Sequence, residues 1–122
     1  MRNSSPLISV VMSTYNSERT VSKSIESILN QSYKNIEFLI IDDCSTDNTL
    51  ELVEEFCKNS NIQTTIIKNI KNRGVSFSRN QGLKNNEHNY IAFIDSDDTW
   101  EKDKLLKQYQ YIEGVHELIS SE

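Results

Sequence analysis

Four times along this chain a short apolar run is followed by a polar break and then by a segment with helical spacing. Few architectures satisfy that alternation. Runs of Val, Ile and Leu without polar alternation predict strands buried on both faces, and such strands need helices to cover them. Leu7–Met12 reads as the first strand, and Glu18–Asn30 as a helix with Val21, Ile25, Ile28 and Leu29 on one face. Asn16 or Ser17 is the expected cap of that helix. Ile36–Ile41 is a second strand. Thr49–Lys58 is a second helix, with Leu50, Val53, Phe56 and Cys57 inward and Ser45, Thr46 or Asp47 as its cap. Ile62–Ile67 and Tyr90–Ile94 are the third and fourth strands. Val75–Leu83 is a short helix weakened near its end by Gly82. Lys102–Ile112 is the last helix, with Leu105, Leu106, Tyr109 and Ile112 inward.

The order β-α-β-α-β-α-β-α predicts an α/β fold, a Rossmann-like and mostly parallel sheet flanked by helices. Its 122 residues suit a single domain, and 36% hydrophobic against 25% charged residues is enough to build a core. The net charge of −5 argues against a nucleic-acid surface. Cys44 and Cys57 form no paired motif, so reduced thiols and a cytoplasmic chain are expected. Residues 1–6 hold no long apolar stretch of the kind a signal peptide needs, and the apolar runs are too short to span a membrane.

In parallel sheets ligands bind beyond the carboxyl ends of the strands. Three polar loops should therefore converge there. Asp95, Asp97 and Asp98 fall within Asp95-Ser96-Asp97-Asp98-Thr99, directly after the fourth strand. Carboxylates so close repel, and a hard cation such as Mg²⁺ or Mn²⁺ relieves the repulsion. The ordinary alternative is a solvated turn in which Asp98 or Thr99 caps the last helix; the position at a strand end favours the cation. In Asp42-Asp43-Cys44-Ser45 a carboxylate can accept from a base N–H or a ribose hydroxyl, or the acids can serve only as turn and cap residues. Ser13, Thr14, Tyr15 and Asn16 follow the first strand. Tyr15 can stack on a base or be an ordinary half-buried aromatic. Asn72-Arg73-Gly74 precedes Ser78-Arg79-Asn80; Gly74 permits close backbone approach, and Arg79 can fork onto a phosphate or remain a surface arginine. His88 and His116 have no partners at metal-ligand spacing.

Taken together, Ser-Thr-Tyr-Asn, Ile-Asp-Asp-Cys-Ser-Thr-Asp-Asn-Thr, Asn-Arg-Gly-Val-x-x-Ser-Arg-Asn and Phe-Ile-Asp-Ser-Asp-Asp-Thr-Trp resemble the family-2 glycosyltransferases over residues 6–112. The resemblance implies the GT-A fold, a nucleotide-sugar donor, typically a UDP-sugar, and a divalent cation, Mn or Mg. It implies inverting, metal-dependent transfer to a glycan or lipid-linked acceptor in polysaccharide or glycoconjugate synthesis. Carried over position by position, it puts Ser13, Thr14 and Tyr15 around the base and gives Asp43 the base N–H. Arg79 then lies near the nucleotide, Asp95 near the ribose and the metal, and Asp97 on the metal. Cys44 stands where such proteins most often carry Gly, a departure that bears on loop conformation.

Similar enzymes continue well past their Asp-x-Asp. The resemblance thus reads residues 1–122 as a truncated donor-binding domain, with the acceptor half absent and the general base beyond Glu122. Neither Glu113 nor Glu117 sits in a recognisable base motif. The alternative function is a nucleotide-binding module without transferase activity. A parent enzyme acting on a lipid-linked acceptor would associate peripherally with the inner face of the membrane. Receiver domains need two further strands after Asp97, haloacid-dehalogenase-type phosphatases open rather than close with Asp-x-Asp, and dinucleotide dehydrogenases need a glycine-rich fingerprint that three scattered glycines do not supply.

Overall fold

The structure, a computed structural model, describes residues 6–84 and 90–120. His88 lies outside them, and the side chains of His116 and Glu117 are likewise not described. The expected alternation is present as β1 (Ile8–Thr14), α1 (Val21–Leu29), β2 (Ile36–Asp42), α2 (Thr49–Lys58), β3 (Gln63–Lys68), α3 (Val75–Lys84), β4 (Tyr90–Asp95) and α4 (Lys104–Ser120). All strand pairs are parallel, in the order β3-β2-β1-β4. The chain begins in the middle of the sheet, winds outward to β3, then returns to the other side of β1. The strand order therefore reverses between β1 and β4, where the loops that follow those strands part and leave a crevice.

Successive residues of β1 point to opposite faces. Val10 and Met12 join Phe38 and Ile40 in a core closed by Ile25 and Ile28 of α1, Val53 of α2 and Leu105 of α4. Val11, Leu39 and Ile41 point to the other face, where α3 covers them. Gln31 is fully buried and joins α1 to the chain around α4: its Nε2 donates to the carbonyls of Ser27 and Glu101, and its Oε1 accepts from Leu105 N–H at 3.0 Å.

Four local expectations are corrected. The first helix starts at Val21, and neither Asn16 nor Ser17 caps it with a side chain; both side chains bond to other loops. The last helix starts at Lys104, so Asp98 and Thr99 do not cap it, and the capping alternative for the acidic loop falls. Ile112 is 45% exposed, because the inward stripe of α4 turns away from the sheet after Tyr109. Gly82, expected to weaken a helix end, is buried inside α3.

Candidate functional site

The ends of β1, β2 and β4 fix the site. Register places Thr14 beside Asp42 and Ser13 beside Asp95, so the loops after these strands leave the sheet at one level. They form a crevice of about 860 Å³ with the segment before α3. Its lining includes Ser13, Tyr15, Asp43, Gly74, Asp95 and Asp97. That volume lies within the range of sites that enclose a small organic ligand, roughly 300–1,000 Å³. Tyr15 is 48% exposed at the rim, free to stack.

The walls are tied together by side chains. Asp42 is buried; its Oδ1 accepts from Thr14 Oγ1 at 2.8 Å and Ser45 Oγ at 2.6 Å, and its Oδ2 accepts from Ser45 N–H at 3.0 Å. Thr14 is completely buried by that bond, so its side chain supports the crevice from beneath instead of lining it, a correction to the expected place at the base. Asn16 adopts φ +47°, which Asn tolerates better than most residues, and its Oδ1 accepts from Thr46 N–H at 2.7 Å. Asn48, not Ser45, Thr46 or Asp47, holds the capping position of α2, although Asp47 just before it accepts from Thr49 N–H at 2.9 Å. Burial raises the Asp47 carboxyl, but the hydrogen bonds from Thr49 and from Glu18 N–H outweigh that and hold it below the usual range.

Asp43 is only 2% exposed. Its carboxylate gathers the Asn69–Gly74 loop: Asn69 Nδ2 donates at 2.8 Å, Arg73 N–H at 2.9 and 3.0 Å to the two oxygens, and Gly74 N–H at 2.7 Å. Burial pushes this carboxyl up, yet the three donors together bring it below the ordinary value. Gly74 has φ +93°, a conformation that side chains strain, while a Cβ there would meet nothing within 4 Å. Backbone conformation by itself requires the glycine, which also lines the crevice. Cys44 has φ +65°, which accounts physically for the glycine expected at its position.

The acidic turn is latched to the start of α1. Thr20 Oγ1 and Ser24 Oγ donate to the Ser96 carbonyl at 2.9 and 2.8 Å, and Ser17 Oγ lies 2.6 Å from Ser96 Oγ. Asp95, Asp97 and Asp98 are exposed, with carboxylate oxygens within 4.8 Å of one another. Ligands on opposite sides of a Mg²⁺ ion stand about 4.2 Å apart, so small side-chain movements suffice to bring these oxygens onto one hard cation. Arg79 does not reach into the crevice lining. Its Nη2 pairs with Asp95 Oδ1 at 2.7 Å, and its guanidinium carbon lies 6.0 Å from the Phe93 ring centre.

Sequence reasoning singled out Ser13, Tyr15, Asp43, Asp95 and Asp97, and the structure brings all five to one crevice. It missed Asp42 as a buried strut, Asn16 as a seam between loops, and Ser96 as the latch. The Ser-Thr-Tyr-Asn run carried a signal for Asn16, since Asn favours positive φ.

Residues 9–119 match the model of glycosyl transferase family 2. The chain is 37% identical over 113 residues to TuaG of Bacillus subtilis, a glycosyltransferase named provisionally for teichuronic acid biosynthesis, covering 92% of this chain and 44% of that protein. It is 41% identical over 107 residues to the Escherichia coli UDP-Glc:α-D-GlcNAc-diphosphoundecaprenol β-1,3-glucosyltransferase WfaP, covering 88% of this chain and 41% of that protein. The chain thus spans somewhat under half the length of these relatives. Among solved structures, S. aureus TarS 1–349 in complex with UDP-GlcNAc superposes with a TM-score of 0.82 at 33% identity, over 89% of this chain and 32% of that one. The mannosyltransferase PcManGT of Pyrobaculum calidifontis superposes with a TM-score of 0.76 at 23% identity, covering 83% of this chain and 30% of that one, a likeness of fold.

Proposed function

This chain belongs to glycosyl transferase family 2, and from that premise we propose that residues 6–112 form the donor half of a longer enzyme. That enzyme moves a sugar, with inversion, from a nucleoside diphosphate to an acceptor hydroxyl in polysaccharide or glycoconjugate synthesis. The observation that carries the reading is the meeting of three strand-end loops in one crevice, with an exposed aromatic on its rim and three carboxylates beside it. Ser13 and Tyr15 border the base, with Thr14 holding the loop beneath them. A carboxylate has about four lone-pair sites, and Asp43 takes four bonds from three protein donors, Arg73 N–H being shared between its two oxygens, so the N–H of a uracil-like base would replace one half of that shared bond. A uridine nucleotide is further supported by the UDP-GlcNAc complex of TarS and by the UDP-Glc named for WfaP.

Asp95, Asp97 and Asp98 would hold Mn²⁺ or Mg²⁺, with Asp97 the principal ligand, and a cation there neutralises charge on a diphosphate. WfaP is named for a lipid-linked acceptor, and we extend that acceptor class to the parent of this chain. Among the described residues no helix is long and apolar enough to cross a membrane; a peripheral place at the cytoplasmic face of the membrane is our extension from the lipid-linked acceptor class. Titration calorimetry with uridine diphosphate tests the donor site. Affinity is expected to rise when Mn²⁺ is present, and Asp97→Ala to remove most of that gain. Equal affinity with metal, without metal and in the variant would contradict the reading.

A further inference from the structure

Arg79 and a divalent cation have claims on the same carboxylate. The guanidinium sits 2.7 Å from Asp95 Oδ1, and that residue belongs to the group whose oxygens cluster within 4.8 Å. Both side chains of the pair are about half exposed, so the arginine is held there mainly by charge, with the Phe93 ring 6.0 Å from its guanidinium carbon. Arg19 also lines the crevice beside Asp95 and Asp97, but it is Arg79 that pairs with the acidic group, and two further cations lie over aromatic rings. Lys104 lies 4.8 Å over the Trp100 ring, and Arg73 lies 4.9 Å over Phe77. Three close carboxylates repel one another, and Arg79 offsets part of that repulsion through Asp95.

We propose that Arg79 is a positioning residue that occupies Asp95 until a diphosphate draws it away, and so makes cation binding depend on donor binding. This rests on the cation site read above at Asp95, Asp97 and Asp98. An arginine fork matches a phosphate at least as well as a carboxylate. When a diphosphate enters, the guanidinium can exchange Asp95 for phosphate oxygens, and Asp95 becomes free to ligate the ion. Without nucleotide, the ion must break the pair first. Linkage then requires the cation to tighten the nucleotide as much as the nucleotide tightens the cation.

The test measures Mn²⁺ binding to the chain by calorimetry and by electron paramagnetic resonance, with and without uridine diphosphate. In Arg79→Gln, Mn²⁺ alone should bind about three- to fivefold more tightly than in the wild type, the size expected for releasing an exposed ion pair. Lys104→Gln removes the same charge from a neighbouring position and should give less than half that gain. With uridine diphosphate present, the advantage of Arg79→Gln should disappear. Damage to the fold cannot mimic a gain in affinity. If Arg79→Gln binds Mn²⁺ no better than the wild type, or if Lys104→Gln gains as much, the exchange is overturned while the cation site stands. Failure of both wild type and Arg79→Gln to take up Mn²⁺, with or without nucleotide, would sink the cation site and the exchange together.

Discussion

The carboxylate of Asp43 serves the fold before it meets any ligand. It holds Asn69, Arg73 and Gly74 at 2.7–3.0 Å, and through them the segment that leads into α3. Its folded pKa lies below the ordinary 3.8. A depressed carboxyl contributes stability that is present above the unfolded value and is lost as pH falls through the folded one. Asp43→Asn would turn an amide N–H₂ toward backbone donors and remove the charge. The expected loss is about 1.5–3 kcal/mol of stability near neutral pH. Thermal melts followed by circular dichroism should also show a shallower fall of stability below about pH 4 in the variant than in the wild type. Equal melting temperatures at neutral pH would leave Asp43 with no structural role. At this scale the sequence was informative about residue type and silent about partners. Cys44 stood out because glycine is expected there, and φ +65° is the reason. Asp42 did not stand out, because its partner Thr14 lies 28 positions away and no local pattern announces that bond.

Among the elements, α3 shows how a rule of propensity can be outweighed by packing. Glycine inside a helix costs about 1 kcal/mol relative to alanine, so propensity alone makes Gly82→Ala stabilising. A Cβ at Gly82, however, would stand 2.6 Å from Cγ1 of Val11, a stiff β-branched residue fully buried on the central strand. Overpacking of that kind costs about 1–3 kcal/mol. Gly82→Ala should therefore unfold at lower denaturant, with an unchanged slope. Val11→Ala opens the space, and the double variant should be more stable than the sum of the two single losses by about 1 kcal/mol. A Gly82→Ala variant more stable than the wild type would mean that α3 can lift from the sheet freely. The period of apolar residues located every strand and helix, because period depends on sequence alone. Their ends were less legible. Strands β1 and β2 run on through Thr14 and Asp42, polar residues that read as loop until their mutual hydrogen bond is known. Helix α1 begins late because Asn16 and Ser17 bond to the second loop and to Ser96.

For the whole molecule the question is what the assembled crevice can do. Inverting transfer needs a base that takes the proton of the acceptor hydroxyl as it attacks, on the face away from the departing diphosphate. Among the described residues, the carboxylates that line the crevice are Glu18, Asp43, Asp47, Asp95 and Asp97. Asp43 and Asp47 are held below the usual range by N–H and O–H donors, and a lowered pKa makes a poor base. Glu18 accepts from Asn48 N–H at 3.0 Å, Asp95 is paired with Arg79, and Asp97 is the principal cation ligand we propose. Glu113 accepts from Tyr90 Oη at 3.0 Å. Tyr90 opens β4 and Asp95 closes it, so Glu113 lies at the far end of a strand about 16 Å long. These placements favour a segment that binds a donor and does not transfer it. Residues 1–122 should bind uridine diphosphate with Mn²⁺ and give little or no product when a radiolabelled UDP-sugar and a lipid-linked acceptor are supplied. Slow hydrolysis of the donor can persist, since charge at the leaving group is still stabilised. Robust transfer by this segment would show that a crevice carboxylate changes partners on binding. Glu18 would then be the first to replace, because it is exposed and a single backbone donor engages its Oε1.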